Sequence, residues 1–175
     1  MEPESINNFS AGKLIIIILS IILVAVVVGG GIYYWQQVRI DNLPEMTEVD
    51  YNSAIDEISK EVAATLVSIT NISKDKTEPI YWTDEDLTEL DNYIDMLVSL
   101  NDRTIDLSAP EKYVTFHNLF LSELEKYNQA MPIYREGVAN ADKAKILQAA
   151  EMIDEALTIE EQAQVEKNKV EQAVE

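Results

Sequence analysis

The stretch Tyr113–Val138, YVTFHNLFLSELEKYNQAMPIYREGV, decides how this chain folds. Core-type residues recur at Tyr113, His117, Phe120, Leu124, Tyr127, Met131, Tyr134 and Val138, in alternating steps of four and three. A helix turns once in about 3.6 residues, so this spacing lines them up as a heptad seam along one face. A lone helix cannot bury such a face, so other helices must cover it. Pro132 lies within the stretch and is expected to kink the helix and free a carbonyl near residue 128. Upstream, Ser108-Ala109-Pro110-Glu111 has the spacing of a capping box, with Ser108 as cap and Glu111 three residues on. Gly137 and Asn140 suit the helix end.

The covering helices are legible on both sides. Between about Val49 and Ser73, Tyr51, Ile55, Ile58, Val62, Leu66, Ile69 and Ile72 step by three or four. Lys74–Trp82 interrupts the pattern. Thr83 then caps a second helix, with Asp84, Glu85 and Asp86 in the first turn, where the helix dipole favours anions. That helix is expected to run to about Leu107, with Leu87, Leu90, Ile94, Leu97, Asn101 and Ile105 inward and Val98 beside them. A last helix starts at Asp142, with Ile146, Ala149, Ile153, Ala156 and Leu157 on its inner face. Beyond Ile159 large apolar residues become scarce, so residues 161–175 are expected to fray or to project as a solvated helix. Ile80–Thr83 is the nearest approach to a strand and is too short to support a sheet.

The run Leu14–Trp35, LIIIILSIILVAVVVGGGIYYW, stands apart from all this. It holds twenty-two residues without a charge. As a helix it would span about 33 Å, enough for the hydrocarbon core of a bilayer. Tyr33, Tyr34 and Trp35 close it with the rings that suit headgroup level. The expected fold class is therefore all-α: an N-terminal transmembrane helix followed by an antiparallel bundle of about four helices. Residues 1–13 form a short tail, 14–35 the anchor, 36–47 a linker interrupted by Pro44, and 48–160 the bundle domain. A cleaved signal peptide is the competing reading of the apolar run, but the run is longer than an ordinary signal core. Type IV pilins share such a helix, but the processing site and glutamate they need are missing here. A short tail before an uncleaved anchor leaves the C-terminal domain outside the cytoplasm, at the cell membrane, as a single-pass protein.

Charge narrows the choice of partners. The chain carries 13 basic and 32 acidic side chains, a net charge of −19. Lys13, Glu2 and Glu4 are the only charged residues ahead of the anchor, leaving 12 basic against 30 acidic behind it. Such a domain repels nucleic acid and anionic headgroups and attracts cations or a basic partner. The expected partners are the lipid bilayer, through residues 14–35, and a protein partner, with no nucleic acid.

Chemistry-bearing motifs are sparse. The absence of cysteine removes disulfides, thiolate metal sites and thiol nucleophiles. His117 is the single histidine and occupies a seam position, which suits a core imidazole bonded to a neighbouring helix. Asp84, Glu85 and Asp86 lack the glycine and terminal glutamate of a calcium loop. Ser73-Lys74-Asp75-Lys76 has the Ser-x-x-Lys spacing without its companion motifs. Asn8 and Asn71 begin glycan-acceptor triplets. No phosphate-binding or dinucleotide glycine loop is present. The expectation is no catalytic, cofactor-binding or metal residues and no cofactor. The aromatic seam, Tyr113, Phe116, Phe120, Tyr127 and Tyr134 with Tyr81 and Trp82 in the loop, is the most distinctive feature. Its spacing suits core, and a ligand pocket or partner groove is the alternative.

In layout, an apolar span leading into helices, and in the stretch APEKYVTFHNLFLSELEKYNQAMPIYREGV, the chain resembles bacterial single-pass envelope proteins with a helical-bundle extracytoplasmic domain. That resemblance implies a membrane-tethered, non-enzymatic module that binds a partner or ligand or scaffolds the envelope. The alternative is an accessory single-pass subunit of a larger membrane complex. Chemoreceptor-type ectodomains are followed by a second span and a signalling domain, so autonomous transmembrane signalling is not expected.

Overall fold

The computed structural model describes residues 46–74, 76 and 81–172. The tail at 1–13, the apolar run at 14–35 and nearly all of the linker lie outside the described residues. Among the described residues no helix is long and apolar enough to cross a membrane.

Four helices make up the described part: α1 (Glu48–Ser73), α2 (Asp84–Ile105), α3 (Val114–Asn140) and α4 (Lys143–Gln172). No strand occurs among the described residues. Local chemistry sets each start. Thr47 caps α1, its Oγ1 accepting from the Asp50 amide at 3.2 Å. Thr83 and Asp86 form a full capping box at α2, with the Thr83 amide donating to Asp86 Oδ2 at 2.9 Å. Asp142 caps α4 through Oδ1, which accepts from the Ala144 amide at 3.0 Å.

The expected capping box at Ser108 is not formed. A 3₁₀ turn over Glu111–Tyr113, preceded by extended Pro110, leads into α3 instead, with no side-chain cap. The helix then runs unbroken through Pro132, whose ring lies on the exposed side.

Specific contacts give the helix directions. Arg103 on α2 reaches Glu61 on α1 at 2.7 Å, and Arg135 on α3 grips Asp91 on α2 at 2.9 and 3.0 Å. Lys126 on α3 meets Glu155 on α4 at 2.5 Å, and Lys167 on α4 meets Asp56 on α1 at 2.6 Å. Neighbours are thus antiparallel, and α4 returns to α1. Across the bundle, α1 and α3 run parallel, since Tyr51 meets His117 at one end and Ser73 meets Tyr134 at the other. The fold is an up-down-up-down four-helix bundle with a shared apolar core.

The core follows the seam on α3: Tyr113, His117, Phe120, Leu124, Tyr127, Met131 and Val138 are buried, and Tyr134 is half-buried. On α2 the inward set differs from expectation. Leu100 and Thr104 are buried, whereas Val98 is exposed and Ile105 half-buried. Thr104 tolerates burial because its hydroxyl donates to the Leu100 carbonyl at 2.8 Å, and Thr65 on α1 does the same to Glu61. A reading that counts only apolar residues misses such positions and rotates the stripe.

The C-terminal segment is a helix with most of its side chains exposed, and it also reaches the core. Helix α4 continues to Gln172, with Ala163 buried and Val170 packed on the core. A heptad seam explains it: Ile146, Ala149, Ile153, Ala156, Glu160, Ala163, Lys167 and Val170 alternate steps of three and four. The two charged members hide the repeat from a hydrophobicity count.

Candidate functional site

The seams of α3 and α4 meet in a regular register. Gly137 lies against Ile146, Glu123 faces Glu160, and Lys167 sits over the Phe116 ring at 5.8 Å. Each retreat along α3 by one or two heptads is matched by an equal advance along α4. The same register sets Tyr127 opposite Ala156 and Phe120 opposite Ala163, so bulky rings meet small side chains. This lets α3 and α4 approach closely. Helix α1 stands further from α4, and a cleft opens between them with α3 as its floor.

The cleft has two compartments. The larger is a cavity of about 400 Å³, lined by Leu66 and Ile69 of α1, Tyr127 and Met131 of α3, and Ile153 and Leu157 of α4. Its rim includes Ser73 and Tyr134, joined by a hydrogen bond at 3.3 Å. Trp82 stands edge-on to Tyr134 at 5.9 Å. The smaller cavity, about 150 Å³, lies toward the opposite end of the bundle and contains Phe116, Phe120, Glu123, Glu160, Gln164 and Lys167. Leu66 lines both compartments, which makes them neighbours.

One polar group in the cleft is left unsatisfied, and one acid there is buried. The Tyr127 hydroxyl is buried and has no hydrogen-bond partner. Glu123 is only 3 % exposed. Burial, with the facing Glu160 carboxylate adding to it, pushes the Glu123 carboxyl up to about 8, so it holds its proton at neutral pH. The Tyr127 hydroxyl is likewise raised by burial and by the neighbouring Glu123 and Glu160. Lys167 is engaged with Asp56 and the Phe116 ring and forms no ion pair with either glutamate.

His117 lies in a different part of the core. Its Nδ1 is hydrogen-bonded to Tyr51 Oη at 3.2 Å, and the Tyr51 ring stacks at a tilt against Tyr113 at 5.3 Å. Tyr113 in turn accepts from Asn52 Nδ2 at 3.0 Å. Desolvation lowers the imidazole to about 4, leaving it neutral under ordinary conditions. Among the described residues no group of three or more His, Asp or Glu side chains is placed to hold a metal ion.

No protein-family model, curated protein or solved structure matches this chain.

The other sequence motifs do not converge on the cleft. Ser73 donates to the Ile69 carbonyl at 2.7 Å, and Lys76 pairs with Asp86 at 2.6 Å, so the Ser-x-x-Lys pair is drawn apart by its own partners. Lys76 and the Thr83 cap together hold the Asp86 carboxyl down to about 2, which places that acid in helix initiation. Asn71 is exposed within the last turn of α1. The aromatic seam divides: Tyr113, Phe116, Phe120 and Tyr127 are buried, while Tyr127 and Tyr134 also wall the larger cavity. Glu123 and Glu160 were not legible as a pair from spacing on a single helix. The available signal was the repeat of seven from Phe116 through Glu123 and Ala130 to Gly137, a second stripe beside the main seam.

Proposed function

We propose that the bundle is a non-enzymatic ligand-binding module held at a membrane by the apolar run at residues 14–35. The observation that carries this reading is the cleft of about 400 Å³ between α1, α3 and α4. Its size falls within the range of small-molecule sites, its walls are apolar, and one unpartnered hydroxyl, Tyr127, is available to orient a guest. In the proposed arrangement the bundle stands outside the cytoplasm, and its acidic surface keeps the tethered domain dispersed.

The test is a titration of the full chain, in lipid nanodiscs, with a polarity-sensitive apolar dye. Saturable binding that disappears in Ile153→Trp, with helicity retained, supports the reading. Equal dye response in both proteins overturns it. Retention in the membrane pellet after alkaline carbonate, and labelling of intact cells by an impermeant lysine reagent, test the tether and its orientation separately. Release by carbonate removes the anchor from the proposal. Exclusion of the reagent reverses the orientation.

The second reading is an accessory subunit of a membrane complex. The exposed apolar side chains on several helices favour it, Val67 on α1, Met96 and Val98 on α2, and Leu147 and Val165 on α4. Stoichiometric companions surviving purification in mild detergent would select that reading. A discrete single species would select the first.

A further inference from the structure

We infer that the cleft takes an amphipathic amine, with its ammonium group between Glu123 and Glu160 and its apolar chain along Leu66, Met131 and Ile153. This rests on the ligand-binding reading and adds the chemistry of the guest.

Charge in the smaller compartment is unbalanced. Glu123 and Glu160 both line it, and Lys167 is the one basic residue in its wall. Lys167 is paired with Asp56 at 2.6 Å. The two glutamates are therefore left without a cation among the described residues. Burying a carboxyl is costly, and Glu123, only 3 % exposed, borders the open space of this compartment with no ion pair to another described residue. An incoming ammonium supplies both the missing charge and the missing N–H donors.

The surroundings select the type of cation. Phe116 and Phe120, whose ring centroids are 6.0 Å apart, form an aromatic wall beside the carboxyls. Aromatic faces attract organic ammonium groups. Two carboxyls beside such a wall offer too few oxygens for calcium, which takes six to eight. A quaternary ammonium would satisfy the charge but bring no donors. The neighbouring apolar compartment, reached past the shared Leu66, gives a hydrocarbon chain its place. Tyr127, one helical turn beyond Glu123 and without a partner, lies where chain and head would join.

Proton balance gives the inference its signature. Glu123 carries a proton at neutral pH in the empty cleft. Pairing with an ammonium requires the carboxylate, so that proton leaves to solvent as the amine, already protonated, enters. The groups facing Glu123 are Glu160 and Lys167 on α4, Asp56 on α1 through its bridge to Lys167, and Tyr127 on α3. Helix α2 contributes no residue to this compartment.

The experiment titrates the full chain in lipid nanodiscs with hexylamine, hexanol and hexanoate by calorimetry at pH 7, against empty nanodiscs. Two buffers of different ionisation enthalpy count the protons exchanged. Hexylamine is expected to bind at least tenfold more tightly than hexanol, releasing close to one proton. Hexanoate is expected not to bind. Glu123→Gln should reduce hexylamine to the level of hexanol and abolish proton release while leaving hexanol unchanged. Glu160→Gln, at an exposed helix position, gives the same test should the first variant fold poorly, with a several-fold loss for the amine alone. Equal binding of hexanol and hexylamine without proton release overturns the ammonium site and leaves the apolar cleft standing. Binding of neither overturns both.

Discussion

Glu123 on α3 faces Glu160 on α4 across a helix seam that two heptads away sets Gly137 against Ile146. One end of the same register is dry and closely packed, and the other holds two acids beside a cavity. A bundle optimised for stability alone would continue the small-against-large pattern. Glu123 costs stability where it stands, and that cost can be measured.

Glu123 should make the protein less stable as pH rises. The unfolded carboxyl titrates near its ordinary 4.5 and the folded one at about 8. Between those values the folded chain keeps a proton that the unfolded chain has released, so stability is fully present below the lower value and falls as pH rises. The slope is about 1.4 kcal/mol per pH unit for one such group. His117 acts in the opposite sense. Its folded value of about 4 lies below the ordinary 6.5, so its contribution is lost as pH falls through that window. The two slopes offset one another from about 4.5 to 6.5, and among the described residues Glu123 governs the decline above it. Urea melts of Glu123→Gln should lose the alkaline decline and exceed the parent most at pH 8. A parent whose stability is flat from pH 6.5 to 8 would contradict the assignment.

Two tyrosines should respond oppositely to loss of the hydroxyl. Tyr51 and Tyr127 are both fully buried on the core side. Tyr51 Oη is bonded to His117 at 3.2 Å, whereas Tyr127 Oη has no partner. Removing a satisfied buried hydroxyl orphans its partner and costs about 1–3 kcal/mol, while removing an unsatisfied one is neutral or favourable. Tyr51→Phe should therefore lower the denaturation midpoint, and Tyr127→Phe should leave it unchanged or raise it. Equal losses in both would mean that Tyr127 is satisfied in solution.

The pattern of these positions explains what was legible in the sequence. The α3 seam was readable because its aromatics and aliphatics repeat at heptad spacing, and a burial preference reveals itself on one strip of sequence. Thr65 and Thr104 were not readable as core, because their hydroxyls are satisfied by carbonyls of their own helix, a local bond that composition does not display. The second half of α4 reads as weakly amphipathic because Glu160 and Lys167 occupy seam positions. Their partners, Glu123 and Asp56, lie on other helices. A cleft is the joint product of three helices, so no single stripe announces it.

Gly137 should resist even the smallest enlargement. A Cβ there would lie 2.8 Å from Ile146 Cγ1 and 3.0 Å from the Ile146 amide nitrogen. The side chain can swing aside, but the backbone at the start of α4 is fixed by the Asp142 cap. Gly137→Ala gains about 1 kcal/mol of helix propensity and incurs an overpacking cost of about 1–3 kcal/mol. Net destabilisation of about 1 kcal/mol is expected in denaturant melts. Ile146→Ala in the same chain should not restore the parent midpoint, because the backbone contact persists. Full restoration would show that the side chain alone was responsible.

Ala141 should gain from losing its side chain. It ends α3 in the left-handed region, with φ 54°, the only non-glycine residue at positive φ among those described. The conformation is imposed by the tight connection: the Asp142 amide donates to the Gly137 carbonyl at 2.8 Å, and Asp142 at once caps α4. A left-handed alanine costs roughly 1 kcal/mol relative to glycine, partly offset by the greater freedom of glycine in the unfolded chain. Ala141 is exposed, so its methyl contributes little packing. Ala141→Gly is expected to stabilise the bundle by about 0.5 kcal/mol and to slow amide exchange at Asp142, which reports the same turn. Faster exchange at Asp142, or a lowered midpoint, would show that the turn is not held in the left-handed conformation in solution.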